Sequence, residues 1–121
     1  MDALAWLDFD YSEDADGHGS FDAMASAPER QQQALHAEVV RVLAWAHASF
    51  GAPQPLDEGG EWDLELQGVR EVVTPLEVNW TPGAAVLGLQ PGTPGPPRLT
   101  LSLTLTGTPA FCAAFRQAFA A

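Results

Sequence analysis

Asp8, Asp10 and Asp22 stand where period-two alternation would set them on one side of a hairpin. If Phe9 pairs with Ala23, Asp10 lies directly across from Asp22, and Asp8 sits two residues along on the same side. Opposed carboxylates destabilise a sheet unless water separates them or a positive charge sits between them. A slip of one pair would part Asp10 from Asp22, and sequence alone does not fix that register.

A divalent cation is one answer to such a cluster. The segment joining the two strands contains Asp14-Ala15-Asp16-Gly17, the pattern of the middle of a calcium loop, followed by His18. With Gly17 at the glycine position, the first ligand falls on Ser12 and the bidentate glutamate position on Ala23. The flanks also read as strands, whereas that motif needs helices. The candidate metal ligands are Asp8, Asp10, Asp14, Asp16, Asp22 and His18, for calcium, magnesium or manganese; a solvated turn accounts for the same residues and is the simpler reading.

Other reactive side chains offer less. His36 and His47 are eleven residues apart on one helix, about 16 Å along its axis, and cannot share an ion. Cys112 stands between Phe111 and Phe115 in helical spacing, where a thiol behaves as a small core residue. A phosphate-cradling loop ending in Lys is impossible in a chain without lysine, and no Gly-x-Ser-x-Gly elbow occurs. No residue is assigned a catalytic role, and no cofactor is expected apart from the alternative cation.

Charge sets the wider context. From Met1 to Glu29 there are eight carboxylates and no basic side chain, so that quarter carries −8 of the formal −11. The rest is nearly balanced, with eight acids against Arg30, Arg41, Arg70, Arg98 and Arg116. Scattered arginines without lysine argue against a nucleic-acid partner. The opening Met1-Asp2 lacks a basic signal-peptide start, and no apolar run approaches the ~18 residues of a membrane span, so the expectation is a cytoplasmic protein without a membrane role. The single cysteine agrees with a reducing compartment.

The elements that must position these residues follow from periodicity. Ala5 to Tyr11 alternates as a strand, Ser12 to Ser20 is a polar turn, and Phe21, Ala23 and Ala25 return the chain as a second strand. Pro28 and Glu29 open a helix to about Phe50, with Leu35, Val39, Val42, Leu43, Ala46 and Phe50 as its apolar stripe and Gly51 as its cap; Trp45 falls off that stripe. After the loop Ala52 to Gly60, a third strand places Trp62, Leu64 and Leu66 inward and Glu61, Asp63 and Glu65 outward, with a bulge or bend expected near Gly68. Leu76, Val78 and Trp80 form a fourth strand, and Ala85, Leu87 and Leu89 a fifth, across a Thr81-Pro82-Gly83 turn. Arg98 to Thr106 alternates leucine with serine and threonine as a strand with one wet face. Thr108-Pro109 then opens a last helix on which Phe111, Phe115 and Phe119 recur every four residues.

The order is β-β-α-β-β-β-β-α. A chain of 121 residues, 46% of them apolar, fits a single α+β domain spanning 1–121: a two-layer sandwich with a mainly antiparallel sheet of five to six strands and two helices on one face. The other face would carry Asp8, Asp10, Asp22, Glu61, Asp63, Glu65 and Glu77, rimmed by Trp6. These residues point to an acidic, non-catalytic binding or regulatory protein that docks on a basic protein partner, in the manner of an immunity protein or an enzyme inhibitor. A metal-dependent enzyme or metal-responsive module on the hairpin carboxylates is the alternative. Oligomeric state is not legible at this level.

Overall fold

The computed structural model describes residues 3–119. Its elements run β1 (Asp10–Glu13), β2 (Gly19–Pro28), α1 (Gln32–Phe50), β3 (Trp62–Glu71), β4 (Leu76–Asn79), β5 (Gly88–Pro91), β6 (Arg98–Gly107) and α2 (Pro109–Phe119), with short 3₁₀ turns at Glu29–Gln31 and Leu56–Glu58. The α+β class and the element order are those expected from the sequence. The six strands divide differently, into a four-stranded antiparallel sheet in the order β1-β2-β6-β3 and a separate two-stranded ribbon of β4 and β5.

The sheet forms around β6. Its leucines alternate with hydroxyl residues, so one face is apolar; Leu103 and Leu105 are fully buried. On β2 the same face carries Phe21, Ala23, Ala25 and Ala27, all buried. The three alanines leave room for α1, which lays Leu35, Val39, Val42 and Ala46 into the core. Helix α2 begins after Thr108, whose hydroxyl accepts from the Phe111 amide at 3.4 Å, with Pro109 at the first helical position. It fills the rest of the apolar face with Phe111, Cys112, Phe115 and Phe119. Burying a side chain the size of Phe21, Phe111 or Phe115 contributes roughly 2–3 kcal/mol.

Aromatic contacts join the layers. The Phe21 and Phe115 rings lie 4.4 Å apart, and Trp62 stacks on Phe111 at 5.8 Å while its indole N–H donates to the Gly51 carbonyl at 2.9 Å. Trp45 lies off the apolar stripe of α1 and is covered by helix packing instead. It is half-buried, 5.4 to 6.0 Å from Phe119, Phe115 and Phe111, because α2 lies beside α1 and turns that flank into interior.

Two other expectations are corrected. No bulge interrupts β3: its register with β6 runs unbroken from Trp62–Gly107 to Glu71–Arg98. Gly68 serves a close approach instead, since a Cβ there would come within 3.1 Å of Leu101 Cδ2. The first strand is also shorter than its alternation implies, beginning at Asp10. The amides of Ala5, Trp6 and Leu7 donate to the Glu38 carboxylate at 2.7, 2.8 and 2.6 Å. Glu38 is buried within α1, and holding three consecutive amides bends this segment away from a ladder.

Candidate functional site: the open face of the sheet

With both helices on one side, the polar side chains of the sheet face outward. The hairpin register pairs Asp10 with Asp22, Tyr11 with Phe21 and Ser12 with Ser20. Continued across the sheet, Asp22 stands opposite Thr104 and Thr104 opposite Glu65. One transverse row therefore reads Asp10, Asp22, Thr104, Glu65, and the next reads Ser12, Ser20, Thr106, Asp63. Asp10 and Asp22 face each other directly, and the Thr104 hydroxyl separates Asp22 from Glu65. The Thr104 hydroxyl donates to Asp22 Oδ1 at 2.6 Å, and that of Ser20 reaches Asp22 Oδ2 at 3.5 Å.

Asp8, Asp10 and Asp22 line one open groove of about 450 Å³ with Ala23, Met24, Ser102 and Thr104. Met24 is 70% exposed and gives this groove its large apolar side chain. Trp6, expected on the rim, is half-buried against the core, because Glu38 holds its backbone amide. Sequence reading assigned Met24 no role. Its outward position was nonetheless legible, two residues from Asp22 on the same alternation.

The remaining acidic residues divide among other tasks. Asp63 is half-buried and accepts from the Leu64 amide at 2.9 Å, whereas Glu65 is exposed. Glu61 Oε2 accepts from the Thr108 hydroxyl at 2.7 Å and its carbonyl from the Thr108 amide at 3.0 Å, so it secures the start of α2 at the end of the face. Glu77 lies on the ribbon, outside the four-stranded sheet, contrary to its expected place on the acidic face.

The joining loop is organised as a turn. Asp14 Oδ1 accepts from the amides of Asp16 at 2.8 Å and His18 at 3.0 Å, while the Asp14 amide donates to the His18 carbonyl. Gly17 adopts φ +81°, which this reversal requires. His18 Nδ1 lies 3.7 Å from Asp14 Oδ2, both side chains about half exposed; Asp16 is exposed at the tip. His18 and Asp14 line a second open groove of about 470 Å³ beside Ser12, Ser20 and Thr106. Of the candidate ligands, Asp8, Asp10 and Asp22 are thus drawn together, while Asp14, Asp16 and His18 belong to the turn. Among the described residues, no three His, Cys, Asp or Glu are grouped so as to hold one metal ion.

Behind the hairpin, the Tyr11 hydroxyl donates to Glu13 Oε2 at 2.8 Å, and the Arg116 guanidinium lies 4.8 Å above the Tyr11 ring. The bond to Glu13 is the leading cause that pushes the Tyr11 phenol up to about 12. Burial raises the Cys112 thiol, as suits a core residue rather than a nucleophile. Among the described residues, no helix is long and apolar enough to cross a membrane. Comparison of the chain with protein-family models, curated proteins and solved structures found no match to any of them.

Proposed function

We propose that this chain is a small acidic binding protein that engages a basic protein partner through the open face of its four-stranded sheet. The observation that carries this reading is the row Asp10–Asp22–Thr104–Glu65, with Asp8 and exposed Met24 beside it. Carboxylates spaced by strand separation, about 4.8 Å or multiples of it, match guanidinium and ammonium groups projecting from a partner. Their summed field accelerates encounter, and Met24 adds an apolar contact once the partner is seated. The function is inhibitory or regulatory, of the immunity type, and non-catalytic. The cation alternative has no observation of its own to favour it.

The test compares two variants that remove equal charge. Asp10→Asn with Asp22→Asn neutralises the face; Glu29→Gln with Glu77→Gln neutralises acids off it. With a decaarginine peptide as probe, the first pair weakens binding about tenfold or more at low salt and flattens its salt dependence, while the second changes it less than about twofold. Equal effects from both pairs would mean that only net charge is being read, and would refute the proposal.

A further inference from the structure

Among the described residues, the apolar face of the β4–β5 ribbon is open to solvent. Its register pairs Leu76 with Pro91, Val78 with Leu89 and Asn79 with Gly88; continued one pair, it sets Trp80 opposite Leu87. Leu76, Val78, Trp80, Leu87 and Leu89 are between 52% and 60% exposed. The other face carries Glu77 paired with Gln90. The five apolar side chains leave on the order of 500 Å² in water, toward the upper end of the roughly 300–600 Å² of a typical monomer's largest apolar patch, which is often functional. Val72, Val73 and Val86, in the segments flanking the two strands, are exposed as well. An isolated two-stranded hairpin is at best marginally stable, so strands of four residues each need a cover for this face.

We propose that the cover is the same ribbon of a second copy of this chain, the two apolar faces packing on each other about a twofold axis. Three observations favour that occupant. Residues 72–97 contain one ionisable group, Glu77, in a chain of net charge −11, so the ribbon face is where two copies meet without opposing carboxylates. The five side chains alone supply more than half of the roughly 800 Å² that each subunit contributes to a standard interface. Pro91 removes an N–H from β5 and Pro75 stands just before β4, which discourages open-ended edge pairing and leaves the face as the route of association. The ribbon lies outside the four-stranded sheet, so this proposal stands or falls separately from the acidic-face reading.

The full chain is examined by sedimentation equilibrium from about 1 to 200 μM at about 150 mM salt, with amide exchange measured over the same range. The expected result is a mass rising from 12.9 kDa toward twice that value, with amides of residues 76–91 gaining protection in parallel. Val78→Glu with Leu89→Glu raises the dimer dissociation constant at least about 100-fold, by placing unpaired charges in the contact. Trp80→Ser, which adds no charge, raises it about tenfold or more. A monomer at every concentration would overturn the proposal, as would a dimer that both variants leave intact. So would dissociation by the glutamate pair alone, since repulsion and not lost apolar contact would then be responsible. Binding of a monomer to phosphatidylcholine vesicles through these residues would also overturn it, by naming a lipid surface as the cover.

Discussion

Replacing Glu38 should loosen the start of the hairpin, and the geometry gives a magnitude. Its carboxylate is 8% exposed and accepts three consecutive amides, those of Trp6 and Leu7 on Oε1 and that of Ala5 on Oε2, at 2.6 to 2.8 Å. Bonds to a charged acceptor are worth about 1.5–3 kcal/mol each in a buried setting, but the exposed Ala5 amide is readily recovered by water. Glu38→Ala should therefore cost about 3 kcal/mol, which lowers the midpoint of thermal unfolding by about 10 °C for a chain of this size. Glu38→Gln keeps one oxygen for Trp6 and Leu7 and turns an amide group toward the Ala5 N–H, at a cost of about 1–2 kcal/mol. Urea unfolding followed by circular dichroism measures both values, and hydrogen exchange reads the amides of residues 5–7. A Glu38→Ala variant within 0.5 kcal/mol of the parent, taking about that much as the ordinary surface effect, or amides 5–7 unprotected in the parent, would refute the reasoning.

Three further outcomes are expected. Tyr11 and Cys112 are raised above their ordinary values of 10.0 and 9.0, so the folded chain holds their protons more tightly than the unfolded chain does. Their contribution is complete below about pH 9 and is lost as pH climbs to about 12; Tyr11→Phe removes the upper part of that decline and Cys112→Ala the lower. Unfolding titrations at alkaline pH decide this, and stability unchanged across the window would contradict it. Gly107→Ala should cost about 1–3 kcal/mol, because the new Cβ would sit 2.9 Å from Phe111 Cβ, which no rotamer change relieves; thermal unfolding measures it, and a neutral result would count against the packing. Asp10→Asn should raise stability by a few tenths of a kcal/mol at low salt by relieving the opposed Asp22. The gain should vanish at 1 M salt, where screening acts within about 3 Å, and the same thermal scans with calcium, magnesium or manganese test the cation reading, which predicts a shift that Asp10→Asn removes.

Much of the scaffold was legible because period-two alternation and the 3.6-residue stripe were clear in particular segments. Leu99 to Leu105 and Phe111 to Phe119 could be placed on faces from spacing alone. The opposition of Asp10 and Asp22 followed from pairing Phe9 with Ala23. What escaped sequence reading depends on contacts distant in the chain. Ala5 to Leu7 alternates like the strand that follows it, but a carboxylate more than thirty residues away captures its amides. For Trp45, off the stripe of its own helix, helix packing is the simpler account from sequence, but that α2 is the neighbour shows only in the structure. Leu76, Val78 and Leu89 have the pattern of a half-buried strand, yet they lie exposed on a ribbon outside the four-stranded sheet. Alternation reports that one face needs cover, not what supplies it.

The central claim is that the sheet face, and not merely an acidic chain, receives a basic partner. The most direct measurement titrates isotopically labelled protein with decaarginine at low salt and follows each backbone amide by NMR. Shifts concentrated on Asp8, Asp10, Asp22, Met24, Glu65 and Thr104, and reduced by Asp10→Asn with Asp22→Asn, are the predicted result. Shifts centred on the Asp14–His18 turn, on the ribbon, or spread evenly over all carboxylates would contradict it.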